Sequence, residues 1–172
     1  MTAIAEYPSM LLPAAPPFRL EVPEGFIAHA APHALAMVRR ADGSRATTEH
    51  VTVTSELVQA GSSAQDLVSG LVAAHPTATV VEASVGGDAT ARAIVSRSVA
   101  GQQVHQSVAV HVMPTRYAGD VTTALTVVGT WPEHDEDAER TIRGVQDSLR
   151  VESLGADGAE RHQPTSTTDQ HH

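Results

Sequence analysis

Residues 50–71, HVTVTSELVQAGSSAQDLVSGL, change their period halfway along, and that change decides the fold class. From 48 to 56 the side chains alternate. Val51, Val53 and Ser55 fall on one face, His50, Thr52 and Thr54 on the other. Period two with β-branched residues throughout describes a half-buried strand. After Gly61 the spacing becomes helical: Ser62 with Gln65 fits a capping box, and Leu67, Val68, Leu71 and Val72 form one apolar stripe that Pro76 ends. A strand therefore feeds a helix across a short turn.

The same two periods extend outward. Upstream, Phe18, Leu20 and Val22 alternate with Arg19 and Glu21 up to a Pro-Glu-Gly turn, and 34–40 reads as a second strand stopped by Asp42-Gly43. Downstream, strands are expected over 78–85, 91–99 and 104–113, with turns at Gly86-Gly87-Asp88 and Ala100-Gly101. A turn over 117–120 leads into a β-branched strand over 121–130. A closing helix over 135–150 sets Ala138, Thr141, Ile142, Val145 and Leu149 on its buried face. Tight turns between successive strands require antiparallel pairing. The fold class is α+β: one antiparallel sheet of about six to seven strands, covered by two main helices.

Composition sets the outer limits. A chain of 172 residues suits one domain. We divide it into a Pro-rich extended arm over 1–17, a single domain over 18–152 and a disordered polar tail over 153–172, whose His171 and His172 form no site. With no Cys, thiol catalysis, disulfides, thiolate zinc and a lipidated cysteine are excluded. All eleven basic residues are Arg, so Schiff-base and phosphate-binding lysines are excluded too. This Ala-, Val-, Gly- and Thr-rich usage points to an actinobacterial source. A net charge of −9 disfavours nucleic acid and anionic membranes, and no apolar run is long enough to span a bilayer. Residues 1–17 lack the basic and apolar regions of a secretory signal, so the expected location is cytoplasmic.

Four segments carry a family likeness: LEVPEGF at 20–26, HVTVTSELVQAGSSAQDLVSGL at 50–71, VVEASVGGDATARAIVS at 80–96 and IRGVQDSLRV at 142–151. Their order resembles the PsbP-like fold, which photosystem PsbP proteins, Mog-type Ran-binding proteins and actinobacterial LpqN lipoproteins share. The LpqN group is the best match in pattern, although this sequence shows neither a signal peptide nor a lipidated cysteine. The resemblance implies an α/β/α sandwich over 18–152 and a non-enzymatic binding or accessory role. It brings no catalytic motif onto any numbered residue.

His105 and His111 share a strand face, but six residues of strand span roughly 20 Å, too far to share one metal, and a pair that either makes with His50 on a neighbouring strand is short of the three or four ligands a zinc or copper site needs. They read as polar residues on a partly covered face, so no metal and no cofactor are expected. No G-x-S-x-G elbow exists, since Gly61-Ser62-Ser63 and Ser69-Gly70 both fail the pattern, and no enzyme is expected. The acidic run of Glu133, Asp135, Glu136 and Asp137, with Glu139, suits the first turn of the last helix, where acids are favoured. It also suits a basic partner. Arg39, Arg40 and Arg45 form a local basic group, and Trp131 either plugs the last helix onto the sheet or lines a cleft. The candidate interaction surface is thus Arg39, Arg40, Arg45, Trp131, Glu133, Asp135, Glu136 and Asp137. The expected function is a non-catalytic protein-interaction or accessory module, monomeric or homodimeric. The alternative is a carrier of a small apolar or lipid-like ligand between sheet and helices, in room left by Ala91, Ala93, Ala109 and Ala124.

Overall fold

The structure, a computed structural model, describes residues 15–43, 48–113 and 120–151. The arm up to residue 14, the tail from 152 and Arg45 lie outside the described residues, as does most of the 117–120 turn.

Eleven elements follow one another: β1 (Phe18–Arg19), β2 (Phe26–Ala31), β3 (Ala34–Arg40), β4 (His50–Gln59), α1 (Ala64–Ala73), β5 (Thr79–Val85), β6 (Thr90–Val99), β7 (Gln102–Val112), β8 (Val121–Pro132), α2 (Glu136–Asp147) and β9 (Arg150–Val151). Seven strands make one antiparallel sheet in the order β2-β3-β4-β8-β7-β6-β5, while β1 and β9 pair in a small sheet of their own. The α+β class and strand number expected from the periodicity are borne out.

Three expectations are corrected. The strand expected over 18–22 shrinks to β1, and β2 appears where none was expected. The segment FIAHAA is alanine-rich and lacks clear alternation. Its pairing comes from β3 through the turn at Pro32-His33, where His33 takes φ +61°. The α1 cap is Ser63 rather than Ser62: its Oγ accepts from the Asp66 N–H at 3.1 Å and donates to the Asp66 carboxylate at 2.8 Å. Finally, the closing helix stops at Asp147 with Ser148 as its cap, so Arg150 belongs to β9.

The helices sit on opposite faces. On β8, Leu125, Val127 and Trp131 point to α2, whose Ala138, Ile142, Val145 and Leu149 complete that core with Phe26, Val38, Val51, Val53 and Ile94. Ala124 points the other way and joins Ala91, Ala93 and Val110 beneath Ala64 and Val68 of α1. The layers are therefore α/β/α. Between the β6–β7 strands, Ala100 and Gly101 take φ +50° and +81°, the two positive values that a two-residue hairpin turn requires.

Close seating of α2 depends on Gly129. A Cβ there would lie 2.6 Å from Ile142 Cγ2 and 2.8 Å from Gln146 Cδ. The Gln146 amide fills that space and donates to the Ser107 and Val127 carbonyls at 3.2 and 3.1 Å. This buried polar bridge ties α2 to β7 and β8.

Candidate functional site

Among the described residues, the sheet edge at β5 carries the most exposed large apolar side chains, Val80, Val81 and Val85. All seven residues of β5 are exposed, and Val80 and Val85 keep 52% and 55% of their surface in contact with solvent. Among the described residues, β5 is paired only on its inner side, with β6. The outer row of backbone donors and acceptors is thus available to a further strand. Its sequence TVVEASV explains the exposure. β-branched valines favour the extended backbone, yet an edge strand has a neighbour on one side alone.

Helix α1 adds the second wall. Val68 and Val72 face Val80, Ala83 and Val85 across an apolar groove of about 310 Å³, floored by Ala91 and Ala93. Small alanines on β6 make the floor low. The start of α1 is pinned to the β5–β6 hairpin, where the Ala64 N–H donates to the Asp88 carbonyl at 2.9 Å. The stripe expected on α1 is only partly buried: Val68 lies under the helix, whereas Leu71 remains 36% exposed.

Behind β5, on the α2 side, the charges are set out in a chain. Arg143 lies 3.0 Å from Glu139 and 3.6 Å from Glu82. Arg92 bonds Asp147 at 2.6 Å. Burial, and secondly the Arg92 charge, lower the affinity of His111 for a proton.

The residues expected to form an interaction surface are divided by the structure. Arg40, Trp131 and Glu133 fall along one row of the sheet at the end where α2 begins. Arg40 sits over the Phe26 ring at 5.2 Å and pairs with the fully buried Glu49 at 2.5 Å. Continuing the β4–β8 register by one residue sets Glu49 beside Trp131, and His105 stands opposite Trp131 with the rings edge to face at 5.9 Å. Glu133 closes the row, 3.6 Å from His105 and 3.5 Å from Ser96 Oγ. Trp131 is 1% exposed, so it seats the helix and lines no cleft. Arg39 points to the other face, where its guanidinium donates to His29 at 3.0 Å. Asp135 caps α2 by accepting the Ala138 N–H at 3.0 Å, and Asp137 pairs with Arg140 at 2.7 Å. Glu136 stands beside them in the first turn, where acids complement the helix dipole.

Sequence reasoning passed over Val68, Val72, Val80 and Val85 as groove-lining residues. The small residues Ala91 and Ala93 were the available signal, and they do floor the groove; Ala124 lies buried under α1. Ala109 is buried, but on the α2 face with the other odd residues of β7. Among the described residues no group of three His, Asp or Glu side chains could hold a metal ion, and no helix is long and apolar enough to cross a membrane.

No protein-family model matches the chain, and no curated protein matches it in sequence. In fold it is similar to LpqN, described as involved in cell envelope biogenesis of Mycobacterium tuberculosis. The TM-score is 0.58, over 81% of this chain and 85% of that one, at 12% identity. The likeness is one of fold. The resemblance to LpqN read from the sequence is thereby supported at the level of architecture.

Proposed function

We propose that the chain is a non-catalytic interaction module that receives a protein partner where α1 and β5 meet. One observation carries the reading: among the described residues, an exposed edge strand whose outer side has no strand neighbour runs beside an apolar groove, so backbone pairing and side-chain burial are offered at one place. Its polar clusters support the same view, because they cap helices and close the sheet end rather than converge on a cleft. The involvement of LpqN in cell envelope biogenesis is compatible with it.

The test uses the full chain as bait in a lysate of the source cells. A Val80→Asp/Val85→Asp double variant should keep its folded circular dichroism and lose the captured protein, while Val22→Asp, exposed beside α2 and outside the groove, should retain it. Equal capture by both variants would refute the site. A co-purified small apolar molecule, seen by native mass spectrometry and lost in the double variant, would instead establish the carrier reading. The cytoplasmic location belongs to this proposal, and recovery of the protein with the envelope fraction would replace it.

A further inference from the structure

Resting on that reading, we infer that the partner presents an extended segment in which apolar and basic side chains alternate, added as an eighth strand outside β5. A strand laid on this edge turns its side chains alternately to the two faces of the sheet. One set enters the groove, against Val68, Val72 and Val85. The other set lies over the α2 flank, against Glu82 and Glu139, which share Arg143, while Arg92 and Asp147 beside them pair with each other. Two carboxylates against one guanidinium leave that flank acidic, and Glu82 is half exposed. The groove therefore selects valine-like residues and the flank selects Lys or Arg, from opposite sides of one strand.

The same charges argue against a second copy as occupant. The strand TVVEASV has a single charge, Glu82, at its middle residue. Antiparallel self-pairing about the strand centre would set two glutamates directly opposite each other, an unfavourable pair. A segment from a basic or mixed-charge protein escapes that conflict and is drawn in by the net charge of −9.

The experiment titrates the isotope-labelled full chain with two probes, acetyl-TVKVKVKVT-amide and its acidic twin acetyl-TVEVEVEVT-amide, by amide NMR. Shifts confined to 79–85 and to the α1 residues beside them are expected, with the basic probe preferred by about five-fold. In a Glu82→Gln variant the preference should narrow to about two-fold with the same residues shifting. Equal affinities, shifts at the β2 edge, or a dimer by sedimentation that the basic probe fails to dissolve would each overturn the inference. The two proposals fail separately. Lysate capture that depends on Val80 and Val85 while the probes show no charge preference leaves the docking site standing and removes the alternating segment. Loss of both removes the site itself.

Discussion

The two faces of the sheet are built from the same strands and differ in what their helices rest on. Under α2 the sheet offers Trp131, Leu125, Val127 and Ile94, and the helix answers with Ile142, Val145 and Leu149. Under α1 it offers Ala91, Ala93 and Ala124, and Val68 is the helix's largest buried side chain. Large side chains interlock and exclude solvent; alanines let the helix approach at one point and leave a groove beside it. Burial on the α2 face is thus what permits the α1 face to remain open. Stability is concentrated on one side, and access on the other.

The strongest way to break this comparison is to remove side chains from each face in turn. Trp131→Ala should cost about 3–5 kcal/mol and Ile142→Ala about 2–5 kcal/mol, since both are wholly buried in the α2 core. Val72→Ala on the half-open side should cost under about 1 kcal/mol, and it leaves a surface that solvent already reaches. Urea unfolding measures all three. If Val72→Ala matched Ile142→Ala, the asymmetry would be a matter of shape without energetic content.

Much of this division was legible in the residues, but unevenly. The α2 stripe and its acidic first turn were readable because apolar spacing and helix-end electrostatics act within the helix itself. Strand β2 was missed because its pairing comes from β3 and not from its own weak pattern. Gln146 was missed because glutamine reads as a surface residue. Its burial depends on Gly129 lying opposite, a coincidence of register between distant segments. The groove was half legible: Ala91 and Ala93 signalled room, yet only the strand order places β5 at an edge. Arg39 and Arg40 look like one basic pair in sequence. Alternation sends them to opposite faces, with Arg40 engaged by Glu49 and Phe26.

Two glycines sharpen the comparison at smaller scale. Gly129→Ala places a methyl against Ile142 and Gln146, and overpacking of this kind costs about 1–3 kcal/mol. Gly70→Ala lies in α1 with nothing within 4 Å of the added Cβ. There the better helix former should stabilise by about 0.5–1 kcal/mol. The same substitution then has opposite signs on the two helix layers, read as a lower and a raised thermal midpoint. A gain at Gly129 would mean that α2 is held less closely than its distances to the sheet show.

The smallest effect is the most specific to the α2 face. His111 stands opposite Thr90 and Leu125 near the end of α2, where burial first and Arg92 second hold its folded-state proton affinity below the ordinary value. Well above pH 6.5, the ordinary histidine value, the ring is neutral in both folded and unfolded chains and contributes no pH dependence. As pH falls through that value the unfolded chain takes up a proton that the folded chain resists, so stability declines until the folded ring protonates as well. His111→Gln should flatten this part of the profile, and urea midpoints between pH 7.5 and 5 should converge for the two proteins on the acid side. Arg92→Gln separates the causes. Because burial is the larger, most of the slope should survive the loss of the guanidinium, even though its bond to Asp147 is lost with it. A slope that vanished with Arg92 would make charge, and not the closeness of the α2 face, the reason that His111 resists a proton.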